Sequence, residues 1–241
     1  MKMYDEMIKS ENSDKISLVA FKYGDSLLAA KNAFYGNNSD TQIDISWLFF
    51  LINYEHHHIL IDVGNGNIEI FTSYGFSMRN FCSPVSLLKE YGLSPEDITE
   101  IFVTHTDFDH IGDISIYKNA DVYIQENELE KCLYLFVHNR KIITFHASMM
   151  ALEKFQLLHV GGHTEGSSII VFQHSGLKYV LGGDACYVNA SLELQIPTGR
   201  TCNVEQSKAF IRKFNSQDYK VYFSHEPSIV PGDDKYKILV P

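Results

Sequence analysis

The feature that most constrains the fold is a dense run of potential metal ligands in the middle of the chain. Four such side chains fall within six residues: His105, Asp107, Asp109 and His110. They follow Glu100–Thr104, a short apolar segment that predicts a buried strand. A turn at a strand end can direct these side chains at two neighbouring cations, and paired divalent ions activate water for hydrolysis. The run therefore predicts a two-metal site anchored on a sheet.

One run of this kind cannot fill two coordination spheres, so we expect further ligands downstream. Three candidates follow: His163 in a glycine-flanked turn, and Asp184 and His225 at the ends of predicted strands. Imidazole and carboxylate groups are the ligands that zinc, iron and manganese sites use. These three candidate ligands predict that loops distant in sequence meet at the metal site.

Strand-like and helical segments alternate along the chain. The strand-like segments are Ile16–Tyr23, Ile43–Tyr54, His58–Val63, Glu100–Thr104, Asp121–Gln125, Leu157–Val160, Ser168–His174, Lys178–Gly182 and, as the last convincing strand, Lys220–Phe223. Helical spacing covers Asn80–Tyr91, Glu126–Phe136 and Glu205–Phe214. The triplet His56-His57-His58 predicts a hairpin turn, because consecutive strand residues point to opposite faces. The pattern favours an α/β scaffold that presents side chains on anchored loops.

Length and composition narrow the class of protein. The 241 residues suffice for one large domain or two small ones, and no repeat or linker interrupts them. We therefore predict a single domain over residues 1–241, with residues 1–14 as a candidate loosely ordered segment. A net charge of −10 argues against a nucleic-acid partner, whose binding usually needs a basic face.

The cellular setting is predicted from what the sequence lacks. No apolar run is long enough to span a bilayer, so we expect no membrane partner. The polar start has no secretory-type apolar segment, and the four cysteines show no paired spacing. These observations predict a cytoplasmic protein acting on a small molecule, and they leave the oligomeric state open.

The ligand run and its downstream partners resemble the signature of the metallo-β-lactamase superfamily. That signature reads H-x-H-x-D-H and is followed by a His, an Asp and a His on later strand ends. The resemblance extends from Asp62-Val63-Gly64, which is similar to the family's D-T-G, to His225. It implies an α/β fold, α+β in a stricter classification, arranged as a four-layer αββα sandwich.

The resemblance also implies roles for individual residues. It assigns the first metal to His105, Asp107 and His163. It assigns the second to Asp109, His110 and His225, with Asp184 bridging the two ions beside a water or hydroxide. Asp109 is implied as a catalytic residue as well as a ligand. The cofactors implied are two divalent ions, with zinc as the family's usual metal.

Asp107 departs from the family pattern, which has a histidine there. A third carboxylate brings the charge of the site closer to neutral and favours harder ions, iron or manganese, over zinc. The alternative is that Asp107 points outward and leaves the first site weak or empty.

Within the superfamily, the chain resembles the N-acyl homoserine lactonases. Tyr187 lies three residues after Asp184, as a tyrosine does in those enzymes, and Val122–Glu126 resembles their strand-to-helix segment. The resemblance implies a metal-dependent hydrolase in which a dinuclear-metal-activated hydroxide opens a small-molecule lactone or ester. Tyr187 would be catalytic by donating a hydrogen bond to the substrate; the alternative is an ordinary packing tyrosine.

Other interpretations remain open. A carboxylate at the second motif position also occurs in flavodiiron redox enzymes, and this chain would then need a separate flavin donor. Phosphodiesterase chemistry occurs on the same fold, and a degraded site would leave a binding module. Phe34, Tyr35, Phe136 and Met149 are candidates for lining an acyl pocket or for packing in the core. Whether residues 133–150 act as a lid is left open.

Overall fold

The computed structural model describes residues 16–112, 114–132 and 138–241. The predicted loose segment at residues 1–14, Phe136 and the first part of the candidate lid lie outside these ranges. So does the end of the helix predicted over Glu126–Phe136.

Two β-sheets form the centre of the protein. Their strands are β1 Ile16–Ala29, β2 Gln42–Tyr54, β3 His57–Ile61, β4 Glu100–Phe102, β5 Asp121–Gln125, β6 Lys141–Phe145, β7 Ser148–Ala151, β8 Phe155–His159, β9 Ser168–His174, β10 Leu177–Leu181, β11 Tyr219–Tyr222 and β12 Tyr236–Val240. The first sheet has seven strands in the order β12-β1-β2-β3-β4-β5-β6, and the second has five in the order β11-β10-β9-β8-β7. β3, β4, β5 and β6 are parallel neighbours, so their carboxyl ends share one edge of the sheet.

Helices connect the strands and cover the outer faces of the sheets. They are α1 Ala30–Ala33, α2 Ile68–Ser73, α3 Pro84–Tyr91, α4 Phe108–Ile111, α5 Glu126–Cys132, α6 Asn189–Leu194 and α7 Val204–Phe214. Short 3-10 turns cover Pro95–Asp97 and Ile114–Ile116. In the described parts of the chain, no helix has the length and apolarity that a membrane span requires.

Three hydrophobic clusters separate four layers. One joins the seven-stranded sheet to α3 through residues such as Phe21 and Leu88. A second fills the space between the two sheets and includes Phe50 and Ile170. The third packs α7, through Phe210, against the five-stranded sheet. This helix–sheet–sheet–helix arrangement is the predicted αββα sandwich.

The structure corrects the predicted start of one helix. The helix expected over Asn80–Tyr91 begins only at Pro84. Asn80 has a φ of 52°, which no α-helical residue adopts. Ser83 is the N-cap and accepts a hydrogen bond from the backbone N–H of Ser86 at 3.3 Å, which favours a start at the following proline.

Other differences concern strands. β1 continues to Ala29, six residues beyond its predicted end, because it pairs with β2 along its whole length. β6 and β12 were not predicted, and β12 rather than Lys220–Phe223 is the last strand. β12 is an edge strand that pairs with β1 and exposes Tyr236 and Ile238, so its pattern gives little sign of burial. The hairpin turn predicted for the triplet His56-His57-His58 is confirmed only for His56, because His57 and His58 pair with β2 as the first residues of β3.

Candidate metal centre

The loops that carry the predicted ligands meet at one end of the two sheets. Asp109, His110, Asp184 and His225 each offer a ligand atom, and these atoms lie within 4.8 Å of one another. His105, His163 and Asp184 form a second group that meets the same limit. All six side chains are buried, and the two groups share Asp184. The structure therefore brings together residues from loops that are 120 positions apart in sequence, from His105 to His225.

Asp107 lies at the second of these groups. Its Oδ2 atom is 3.1 Å from Nε2 of His163 and 3.6 Å from Nε2 of His105. Its side chain is 39% exposed, unlike the other candidates, so it forms the solvent-facing side of this group. The carboxylate is turned toward the two imidazoles, which disfavours the alternative of an outward-pointing Asp107.

Buried polar atoms without partners indicate whether the cluster suits metal ions. Within the described ranges, Nε2 of His105, Nε2 of His110 and Oδ1 of Asp184 are buried without a hydrogen-bond partner. Burying such an atom unpaired costs about 1–3 kcal/mol, so a structure rarely retains several together. Three of them facing one another fit bound cations, and imidazole with carboxylate suits zinc, iron or manganese. The residues present therefore fit a pair of divalent ions.

The four imidazoles are oriented by hydrogen bonds on their other nitrogen. Each Nδ1 lies close to an acceptor: Thr104 Oγ1 for His105 at 3.1 Å, Asp62 Oδ2 for His110 at 2.7 Å, the Arg200 carbonyl for His163 at 2.6 Å, and the Ser46 carbonyl for His225 at 3.1 Å. Donation from Nδ1 leaves the Nε2 lone pair free to bind a metal and fixes the plane of the ring. The acceptors prepare the site before any ion binds.

Asp62 is a supporting residue to which the sequence analysis gave no role. It follows β3, is buried, and accepts hydrogen bonds from the backbone N–H and the hydroxyl of Thr104 at 2.8 and 2.7 Å, as well as from His110. One carboxylate thus holds the strand end that leads to His105 and also the ring of His110. The match of Asp62-Val63-Gly64 to the family's D-T-G could have drawn attention to this position, but it does not predict the hydrogen-bond partners of Asp62.

Glu128 on α5 is a second supporting residue that the sequence did not indicate. It is 1% exposed, and its Oε2 accepts from the backbone N–H of Thr106 at 3.0 Å and from the Thr106 hydroxyl. Its Oε1 accepts from the Thr164 hydroxyl at 2.7 Å and from the backbone N–H of Gly166 at 3.0 Å. Thr106 lies between His105 and Asp107, and Thr164 follows His163. Glu128 therefore joins the two loops that form one ligand group.

The loop around Gly166 approaches α5 so closely that a side chain would not fit. A Cβ atom there would lie 2.6 Å from Oε1 of Gln125 and 2.6 Å from Cγ of Glu128. Real Cβ atoms avoid such distances, so glycine is required for this approach.

Charges within the cluster shift the pKa values of its members. Burial lowers the pKa of His110, but the carboxylates of Asp109, Asp184 and Asp62 outweigh burial and raise it well above its usual value. Burial raises the pKa of Asp107, but the adjacent imidazole of His105 and the hydrogen bond with His163 hold it well below the usual range. Both shifts arise because carboxylates and imidazoles are packed side by side. A bound cation would displace the protons that these groups share.

Tyr187 lies over the same cluster. Its ring centroid is 5.6 Å from that of His163 and 5.3 Å from that of His225, and its side chain is buried. Burial and the charge of Asp184 raise the pKa of its phenol well above the ordinary value. The hydroxyl therefore keeps its proton at neutral pH and can act as a hydrogen-bond donor.

The residues proposed for an acyl pocket are placed differently. Phe34 packs against the cluster that includes α3, and Met149 packs between the sheets, as the core alternative predicted. Tyr35 is 49% exposed. A different apolar side chain lies against the metal cluster. Trp47 contacts His225 edge-on, with ring centroids 4.8 Å apart.

Comparisons with known proteins agree with this geometry. A family model described as the metallo-beta-lactamase superfamily matches residues 48–148. The N-acyl homoserine lactonase AiiA of Bacillus thuringiensis subsp. kurstaki is 30% identical over 122 residues, which covers 47% of this chain and 48% of the relative. The chain thus aligns with about half the length of the curated relatives it matches.

Solved structures extend the similarity to most of the chain. A structure of N-acyl homoserine lactone hydrolase, described with the product N-hexanoyl-L-homoserine at its catalytic metal centre, superposes with a TM-score of 0.76 at 18% identity, covering 90% of this chain and 95% of that one. The dizinc quorum-quenching lactonase AidC superposes with a TM-score of 0.70 at 16% identity, covering 95% and 96%. At such identities the likeness shows the fold.

Proposed function

Because this chain carries a metallo-beta-lactamase superfamily domain, that of a metal-dependent hydrolase, we propose that it opens a small-molecule lactone or ester at a two-metal site. The observation that carries the proposal is the convergence of two buried ligand groups on Asp184, with unpartnered nitrogen and oxygen atoms facing one another. The lactonase relative supports the choice of lactones and esters as the substrate class.

The proposed ligand set follows the geometry. His105, Asp107 and His163 would hold the first ion, Asp109, His110 and His225 would hold the second, and Asp184, which belongs to both groups, would serve the two. When bound, two divalent ions lower the pKa of a shared water and polarise a substrate carbonyl. The dizinc lactonase with the same fold supports zinc, whereas the carboxylate of Asp107 supports iron or manganese.

The chain's own residues position the reaction around these ions. Tyr187 donates its phenol proton in a hydrogen bond to the substrate oxygen that gains negative charge, since its raised pKa keeps that proton in place. Asp109 is 6% exposed, and its Oδ2 lies 3.2 Å from Nε2 of His110 and 3.4 Å from Nε2 of His225. We assign to Asp109 the transfer of the proton from the attacking water to the leaving alkoxide. The water oxygen first adds to the carbonyl carbon to give a tetrahedral oxyanion, and the C–O bond to the leaving group then breaks as the carbonyl re-forms.

The cellular setting remains part of the proposal. Cys82, Cys132, Cys186 and Cys202 are free thiols, which supports the predicted reducing, cytoplasmic location. The acidic chain supports a small-molecule substrate over a nucleic acid.

Elemental analysis of protein purified without added metal, paired with a substrate panel, tests the proposal. The panel contains an N-acyl homoserine lactone, 4-nitrophenyl acetate and bis(4-nitrophenyl) phosphate. We expect metal at near two equivalents, and turnover of the lactone or the carboxylic ester. Turnover of the phosphodiester alone would replace the proposal with a phosphodiesterase, and metal-loaded protein that turns over none of the three would refute it.

Tyr187→Phe tests the role of the phenol. We expect kcat to fall by roughly 10- to 100-fold with metal content unchanged, because one hydrogen bond to developing charge is lost. Tyr236→Phe, on the exposed edge strand β12, is the matched control and should leave kcat unchanged. An unchanged kcat in Tyr187→Phe would make Tyr187 a packing residue.

A further inference from the structure

Two cavities with different linings meet at the metal cluster. The first is apolar and is lined by side chains that include Leu28, Ile45, Trp47 and Phe76. The second has a mixed lining, in which Thr106, Lys131 and Thr164 lie beside apolar side chains such as Ile70 and Tyr74. Asp107, Phe108 and Arg200 line both cavities. A substrate whose reacting bond lies at the cluster therefore has an apolar space on one side and, on the other, a space of mixed character that contains the cationic side chains of Lys131 and Arg200.

The backbone around Arg200 is fixed against the metal cluster. The Arg200 carbonyl accepts hydrogen bonds from Nδ1 of His163 at 2.6 Å and from the hydroxyl of Thr198 at 3.0 Å. On the C-terminal side, the N–H of Cys202 donates to the carbonyl of Gly162 at 2.7 Å. These bonds tie the loop to the residues that present His163, so the Arg200 side chain starts from a defined point beside the site.

The same loop is also held from the other side. The N–H of Tyr35 donates to the carbonyl of Pro197 at 2.8 Å. Gly199 packs so tightly that a Cβ atom would lie 2.5 Å from the carbonyl oxygens of Lys31 and Asn32. A loop anchored on both sides holds the Arg200 backbone in place, so that binding does not require the loop itself to become ordered.

The guanidinium of Arg200 is available for a ligand. Its side chain is exposed, and no residue in the described part of the chain forms a hydrogen bond or an ion pair with it. Lys131, the other cation that lines the second cavity, is 3.3 Å from the buried carboxylate of Glu128. In a chain with a net charge of −10, an unpaired arginine at the mouth of a metal site is a distinctive feature. A guanidinium binds carboxylates through two parallel hydrogen bonds.

We propose that Arg200 recognises a carboxylate on the substrate, so that the preferred substrate is an ester or lactone with an apolar group on one side and a single negative charge on the other. A monoanion fits because one free guanidinium balances one charge, whereas a phosphate dianion would need a second free cation. This inference rests on the proposed hydrolytic function and narrows its substrate class.

A pair of esters that differ by one terminal carboxylate tests the assignment. The neutral ester is 4-nitrophenyl butyrate, and the anionic one is mono(4-nitrophenyl) glutarate, which adds a terminal carboxylate. We expect the wild-type protein to prefer the anionic ester in kcat/KM, and Arg200→Met to reduce the ratio of the two kcat/KM values by roughly 10- to 100-fold, mainly through KM. Arg200→Lys should recover part of the ratio, since it keeps the charge but not the two-pronged geometry.

Lys237→Met is the matched control, because it removes an exposed cation from the edge strand β12 and should leave the ratio unchanged. Metal content is measured for every variant, since the Arg200 backbone orients His163. A wild-type protein without preference for the anionic ester overturns the subsite, as does equal loss on both esters in Arg200→Met. An effect of Arg200→Met confined to product inhibition also overturns it. Hydrolysis of neither ester counts instead against the proposed function.

Discussion

Replacing Glu128 with glutamine tests whether the carboxylate that joins the two ligand loops supports both folding and metal binding. Glutamine has nearly the same shape, so the substitution removes one charge and turns one of two acceptor oxygens into a donor. In the structure, each oxygen faces a backbone N–H that cannot rotate away: Thr106 for Oε2 and Gly166 for Oε1. The amide can satisfy only one of them.

The expected cost follows from these contacts. One buried N–H left unpaired costs about 1–3 kcal/mol, and the remaining bonds to a neutral amide are weaker than those to a carboxylate by about 1 kcal/mol. The ion pair with Lys131 adds little, because the lysine side chain is 46% exposed. We therefore expect Glu128→Gln to lower the free energy of unfolding by about 2–4 kcal/mol.

Urea denaturation of the metal-free protein measures this loss without a contribution from bound ions. Glu130→Gln is the matched control, because it removes the same charge from an exposed position on the same helix and should change stability by less than about 0.5 kcal/mol. Metal titration provides a second measurement. Thr106 and Thr164 adjoin the ligands of one group, so we expect Glu128→Gln to weaken one metal equivalent more than the other, by roughly 10- to 100-fold.

Two results would refute the reasoning. Equal stability of Glu128→Gln and Glu130→Gln would mean that the buried hydrogen bonds contribute nothing net. A stability loss with both metal equivalents unchanged would mean that Glu128 holds the fold but does not position the ligand loops.

Three further predictions follow from the same contacts. Burial raises the pKa of Glu128, but hydrogen bonds from Thr106 and Thr164 outweigh burial and lower it in the folded protein. The extra unfolding free energy of wild type over Glu128→Gln should therefore be complete above about pH 4.3, the pKa of an unfolded glutamate, and should be lost as the pH falls through the lower folded-state pKa. Urea titrations of both proteins at several pH values measure this difference. Asp62→Asn should destabilise the protein by about 2–4 kcal/mol in the same assay and weaken metal binding, because Asp62 is a buried carboxylate that accepts three hydrogen bonds. Asp107→His should shift metal content toward zinc, as measured by elemental analysis; a gain of metal and activity would instead indicate a degraded site.

The amino-acid sequence was enough to indicate a metallo-β-lactamase superfamily domain and the four-layer fold. Both were inferred from a ligand run that follows Glu100–Thr104 and from later ligands at strand ends; the family model matches residues 48–148, and the structural neighbours confirm the fold. These features are readable because they are local: a strand, its end, and a His or Asp directly after it. The helix predicted from Asn80 was wrong at its start, because Ser83 and Pro84, and not the apolar periodicity, set the beginning of α3.

Only the tertiary structure decided how the ligands are held. Thr104 and His110 meet Asp62 from more than 40 positions away, and Glu128 bridges Thr106 and Thr164 from 22 and 36 positions away. Such partners are chosen by strand pairing and loop packing, which bring together residues that share no pattern in sequence. A buried carboxylate and an exposed one look alike in a sequence, and burial against specific donors is what distinguishes Glu128 from Glu130. For the same reason the free guanidinium of Arg200 beside the site became visible only in three dimensions.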